Sequence, residues 1–181
     1  TNKLRKGWLK QLFPQGILHQ TSANQLLAAR VLAQPVFESC ATRVPVTFDG
    51  DAFTRWRSSF ADLPEDVIET LARNSKRNDL IVQTYLEKRE KYGKTLIFAD
   101  RWFQCEYISQ ALNAKGVRAD VVYSHVDAAG ATVEERNRRT ADENKKVLDA
   151  FRANELDVLV NVRMLTEGTD VPDLQSVFLT R

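Results

Sequence analysis

The sequence predicts an α/β fold, a parallel doubly wound sheet with a helix-rich amino-terminal extension. Three observations predict it. Four short strand-like runs, Thr95–Ala99, Ala119–Tyr123, Val158–Val162 and Ser176–Thr180, fall in the second half of the chain. The third has too many adjacent apolar residues for a one-sided strand and reads as buried on both faces, the habit of parallel sheets. Helical periods separate the runs, and each connection is long enough for a right-handed crossover between parallel strands.

Composition sets the bounds. The 181 residues suit one ordinary domain plus an extension, and 43% hydrophobic content is enough for a core. The net charge is +2, unevenly spread: residues 1–93 hold 14 basic and 10 acidic side chains, residues 94–181 hold 12 and 14. This excludes a grossly basic nucleic-acid coat but leaves room for a local phosphate track. Cys40, Cys105, His19 and His125 form no zinc spacing, and two isolated cysteines suit a reducing compartment. No apolar run approaches the ~18 residues of a membrane span and no signal-peptide pattern opens the chain. The expectation is a cytoplasmic protein, and Thr1 with an unclosed strand before Arg181 suggests a piece of a longer one.

In residues 1–93, the extension, Lys3 to Lys10 is basic around Trp8 and reads first as a solvated terminus. Ser22 is placed to cap a helix over Asn24–Ala33, with Pro35 beyond it. Val44–Phe48 is a candidate edge strand behind Pro45. Phe53, Trp56 and Phe60 recur at helical spacing as a core stripe. Pro64, Glu65 and Asp66 open a helix running to about Arg73, as proline and acids favour a helix amino end. Asn74-Ser75 can cap a further helix over Lys76–Tyr92, which Gly93 stops.

In residues 94–181 the first strand leads to Asp100, placed to cap a helix over Arg101–Lys115, and Gly116 ends it. The second strand is followed by a polar stretch, 126–146, and a helix within Val133–Ala153. After the third strand come Thr166, Glu167, Gly168, Thr169 and Asp170. This is a hydroxyl, a flexible backbone point and two carboxylates at the carboxyl end of a central strand, where open α/β sheets bind ligands. The plain alternative is a strand-to-helix connection with Gly168 turning and Asp170 capping. Asp100 and Arg101 end the first strand at the same edge, where an arginine could meet phosphate or lie solvated. His125 reads as a loop residue.

The string Leu165-Thr-Glu-Gly-Thr-Asp-Val-Pro172, with a Val-Leu-Val strand before it and Ser176-Val-Phe-Leu-Thr180 after it, resembles motif V of superfamily 2 helicases. Thr95-Leu-Ile-Phe-Ala99 resembles motif IV, and the likeness is nearest the type III restriction subunit branch of the DEAD/DEAH-box proteins. Residues 94–181 are thus similar to a second RecA-like motor domain, and residues 1–93 resemble, more weakly, the segment joining two motors. The resemblance implies that Thr166 contacts a nucleic-acid phosphate and that Gly168 and Asp170 face the nucleotide. A hydroxyl positions phosphate without reading bases, and a carboxylate can hold a ribose hydroxyl or a cationic finger. Arg101 is the further candidate for nucleic-acid contact, and Glu167 receives no catalytic role.

Two departures mark this sequence. Gln104 stands where the branch often has a histidine, and residues 126–146 are longer than the usual loop and helix start, as a polar surface insertion would be. The stretch contains no Gly-x-x-x-x-Gly-Lys-Ser/Thr loop, no Asp-Glu magnesium motif and no Gln-x-x-Gly-Arg-x-x-Arg motif. The expectation is therefore no catalytic residue within this stretch. ATP and Mg2+ would be bound mainly outside it, beside a first RecA-like domain, with nucleic acid, expected as double-stranded DNA, as partner. The rival is a non-catalytic α/β module that docks proteins or small ligands on the same sheet.

Overall fold

The computed structural model describes residues 21–42, 50–51, 54, 63–123, 139–162, 164–165 and 170–180. The chain divides into two compact units, residues 1–41 and 42–181. The first contains α1 (Ala23–Ala28), closed at its start by a capping box between Ser22 and Gln25. It ends five residues earlier than its apolar spacing suggests. Arg30 adopts φ 57° and the Val31 amide returns to the Leu26 carbonyl at 2.9 Å, a left-handed stop reached well before Pro35.

The second unit runs α2 (Glu65–Arg73), α3 (Ser75–Glu87), α4 (Arg89–Tyr92), β1 (Thr95–Phe98), α5 (Trp102–Asn113), β2 (Ala119–Tyr123), α6 (Ala141–Arg152), β3 (Val158–Val162) and β4 (Ser176–Leu179). All described pairings are parallel, in the order β2-β3-β1-β4. The predicted parallel doubly wound sheet is therefore present. Alternation along each strand sends side chains to two separate cores. Ile97, Val121, Val158 and Val160 pack with Cys105, Ile108 and Leu112 of α5 and with Val82 and Tyr85 of α3. Leu96, Val122 and Leu159 pack on the other face with Phe151 of α6 and Leu165. Helices on both faces explain why β3 lacks a polar side.

The predicted helix over Lys76–Tyr92 is two helices. Asn74 caps α3, its side chain accepting from the Arg77 amide at 2.9 Å, but at Lys88 the backbone leaves helical geometry (φ −129°, ψ 32°). The Lys88 amide bonds the Tyr85 carbonyl instead, and the turn brings Arg89 to Asp157, 3.0 Å away. Gly93 then sits at φ 52°, a conformation that strains any side chain, under the Gln175 side chain, whose oxygen a Cβ 1.5 Å away would have to displace. That oxygen accepts the Lys94 amide at 3.0 Å and sets the start of β1 beside β4.

The expectations for Lys3–Lys10, the Val44–Phe48 strand, the Phe53, Trp56 and Phe60 stripe and His125 lie outside the described residues. So does most of 126–146, though α6 begins at Ala141 behind a capping box of Thr140 and Glu143. Among the described residues no helix is long and apolar enough to cross a membrane.

Candidate functional site

The carboxyl edge of the sheet is built from the ends of β1, β3 and β4. Asn161, fully buried in β3, donates to the Ile97 carbonyl of β1 at 3.1 Å, and its side-chain oxygen lies 3.4 Å from the Leu165 amide. This amide side chain ties two strands together and anchors the start of the loop that follows. Thr166 and Gly168 lie outside the described residues. Asp170, where the description resumes, is exposed, and its carbonyl accepts from Arg152 Nε of α6 at 3.1 Å. Two residues on, the Pro172 carbonyl accepts from Lys94 Nζ at 2.8 Å; Lys94 also bonds Asn154 and lies 4.9 Å from the Phe151 ring centre. The returning arm of the loop is thus fastened at two carbonyls.

Asp100 does not cap α5. The N-cap position belongs to Arg101, with no side-chain cap bond, while the Asp100 side chain turns inward, 3% exposed. It lies 3.7 Å from Arg77 Nη2, itself 4% exposed, and 3.4 Å from Thr180 Oγ1 of the β4 end, whose nearer acceptor is the Phe98 carbonyl at 2.9 Å. Burying a carboxylate demands a counter-charge, and α3 supplies it. Gln104 belongs to the same buried cluster. Its oxygen accepts the Asp100 amide at 2.9 Å and its nitrogen donates to Asn78 Oδ1 at 2.8 Å, while Asn78 donates to the Ala72 carbonyl. At this position the chain uses an amide as a structural connector between α2, α3 and α5.

Arg101 is 20% exposed with all three guanidinium nitrogens engaged. Nη1 donates to its neighbour's Asp100 carbonyl at 3.1 Å, Nε to Glu69 Oε2 at 3.2 Å, and Nη2 to Glu65. Both carboxylates come from α2. β1 and β3 are neighbours with Phe98 opposite Asn161, so Arg101 and the Leu165–Asp170 loop leave adjacent strands at one edge.

The opposite edge holds a cavity of about 450 Å3 between Arg89, Lys94, Arg118, Asn154 and Asp157. There Asp157 takes Arg118 at 2.5 Å and Arg89 at 3.0 Å, and the Arg118 hydrogen bond holds its carboxyl below the usual carboxylate range. Both arginines are paired with Asp157 and Lys94 Nζ is bonded to Asn154 and the Pro172 carbonyl, so this edge reads as structural closure. Among the described residues no group of three histidine, cysteine or acidic side chains is placed to hold a metal.

Fold and edge together define an open parallel α/β domain with a polar loop at the strand ends. Residues 75–181 match the helicase conserved C-terminal domain, and the chain belongs to that family. It is 24% identical over 127 residues to IRC3 of Saccharomyces cerevisiae, named as an ATP-dependent helicase, covering 69% of this chain and 16% of that protein. It is 30% identical over 82 residues to DEAD-box ATP-dependent RNA helicase 35B of Oryza sativa subsp. japonica, covering 45% and 11%. The chain thus spans less than a fifth of either relative. The helicase domain of Hef from Pyrococcus furiosus is similar at 22% identity and a TM-score of 0.43, over 59% of this chain and 20% of that one.

Proposed function

We propose that this chain supplies the second motor domain of an ATP-dependent nucleic-acid helicase or translocase. The observation that carries the reading is the family match over residues 75–181, with the Leu165–Pro172 string at the carboxyl edge. Its substrate is duplex DNA, that of the type III restriction branch its motif V string resembles, and it works against a first RecA-like domain of the same protein. Thr166 and Arg101 hold backbone phosphate, and Gly168 and Asp170 face the nucleotide cleft. The exposed Asp170 suits that place: with its carbonyl fixed by Arg152, its carboxylate can meet a ribose hydroxyl or a cationic finger. ATP, when bound, supplies the free energy that separates closed from open motor states, and the phosphate loop and magnesium ligands belong to the first domain. Closure moves the strand because phosphate contacts differ between the two states.

The test separates the two contacts in the full-length protein. Thr166→Ala weakens nucleic-acid binding more than stimulated ATP hydrolysis, since a hydrogen bond to a charged oxygen contributes ~1.5–3 kcal/mol. Asp170→Ala does the reverse, because it misaligns closure without removing a strand contact. Dissociation constants, stimulated phosphate-release rates and a melting curve are measured for both. Both quantities unchanged in both variants would make the loop structural and remove the reading's main site.

A further inference from the structure

We infer that Glu65 and Glu69 of α2 act as phosphate mimics: they occupy the Arg101 fork in the nucleic-acid-free protein, and a backbone phosphate must displace them to bind. The inference deepens the proposed function and rests on its reading of Arg101 as a phosphate contact.

The arginine is preorganised. Its Nη1 is held on the Asp100 carbonyl at 3.1 Å, and Asp100 is in turn fixed by the buried Arg77 and by Thr180. This leaves Nε and Nη2, the side of the guanidinium that matches two oxygens of a phosphate or carboxylate. In the structure those two nitrogens take one oxygen each from Glu69 and Glu65, the pair of acceptors a phosphodiester would offer.

The carboxylates can leave at little cost because each has somewhere else to go. Glu65 is 75% exposed, at the amino end of α2 where the helix dipole favours a negative charge in water. Glu69 has its other oxygen on Arg73 Nη2 at 2.6 Å, a pair that survives the departure of Arg101. The helix itself need not move. Val67, Ile68 and Ala72 bury its inner face, so the exchange needs only side-chain rotation at its outer one. The carboxylates set a threshold: a phosphate with weak additional contacts fails to displace two anions, whereas a strand gripped at several points along its backbone succeeds.

The test is fluorescence anisotropy of a labelled double-stranded DNA oligonucleotide against the full-length protein at low ionic strength. Glu65→Gln/Glu69→Gln raises affinity roughly three- to tenfold, the range that two exposed ion pairs can contribute. Asp66→Asn/Glu87→Gln changes the net charge equally without touching Arg101's partners, and raises it less than about twofold by the general field alone. In an Arg101→Ala background the glutamate substitutions give no more than that control. Equal gains from the two pairs of substitutions, or a gain that persists without Arg101, would overturn the inference. Arg101→Ala binding as tightly as the wild type, or no binding by any of the proteins, would instead overturn the assignment of Arg101 on which it rests. Glu65→Gln alone, at the more exposed position, serves if the double variant melts early.

Discussion

The Arg77–Asp100 pair gives the sharpest quantitative expectation. Both side chains are almost wholly buried, 4% and 3% exposed, with 3.7 Å between Nη2 and Oδ2. Arg77→Met keeps the aliphatic stem and removes the guanidinium that faces the buried Asp100 carboxylate at 3.7 Å. Breaking a buried pair in this way costs about 3–5 kcal/mol. The Thr180 hydroxyl, whose single proton also has the Phe98 carbonyl at 2.9 Å, can turn it to that oxygen at 3.4 Å once the arginine is gone, so the lower end applies, about 3 kcal/mol. At ~2–4 °C per kcal/mol for a chain of this size, the melting temperature falls roughly 6–12 °C. Adding Asp100→Asn removes the buried negative charge but keeps the shape and the acceptor, and stability returns to within about 1–2 kcal/mol of the wild type. Urea unfolding followed by circular dichroism measures all four corners of the cycle. Arg77→Met within about 1 kcal/mol of the wild type, or a double variant no more stable than Arg77→Met, would refute the pair as a buried charge couple.

Two further expectations follow from titratable groups. Burial pushes the Cys105 thiol well up from its ordinary value, whereas Cys40 is exposed, so a thiol reagent labels Cys40 rapidly and Cys105 only in denaturant; rapid labelling of both in the native protein would contradict the packing of α5. The Asp157 carboxyl is held low chiefly by Arg118, so the folded form titrates below the unfolded one. The stability it contributes is therefore present above the ordinary carboxylate value and lost as pH falls through the folded one. Arg118→Ala accordingly moves the acid-unfolding midpoint to higher pH, and an unchanged midpoint in a circular dichroism titration would sink this account.

The strands were legible because a parallel sheet covered on both faces writes itself as apolar runs, and Val158-Leu-Val-Asn-Val162 could serve nothing else. Helix starts were legible where caps were written in full. Ser22 with Gln25 closes α1, Asn74 closes α3, and the same pattern in Thr140-Ala-Asp-Glu143 could have placed the start of α6 at Ala141. Apart from the local left-handed stop at Arg30 that ends α1 early, the errors share one cause, long-range pairing. An aspartate after a strand and before a helix reads as a cap, and only the fold brings Arg77 to it from α3. The spacing of α3 gave no hint of the break at Lys88, which accompanies the ion pair of Arg89 with Asp157, 68 residues beyond that arginine. Arg101 could be proposed for its place at the strand end, but not its carboxylate partners 32 and 36 residues earlier. Gln104 and Asn161 were missed for a related reason: a buried amide announces itself through its partners and not through its neighbours in sequence.

The two edges of the sheet therefore do different work. At the amino edge Asp157 binds two arginines, and Arg118 meets it through both its guanidinium and its backbone amide, so the charges there are spent within the fold. At the carboxyl edge the innermost charge is also satisfied, Asp100 by Arg77, but the next one out is satisfied by side chains that can leave. Arg101 stands between a fixed carbonyl and two carboxylates on the outer face of α2. Asp100 links these layers, since its side chain takes the buried arginine and its backbone carbonyl positions the exposed one. Loss of Arg77 should then be felt first as stability and only through Asp100 as phosphate affinity, whereas loss of Glu65 should leave stability nearly untouched and change affinity alone. On the proposed role of Arg101, stability and binding separate by residue at this edge because the buried charge pair and the exchangeable one share a backbone and not a side chain.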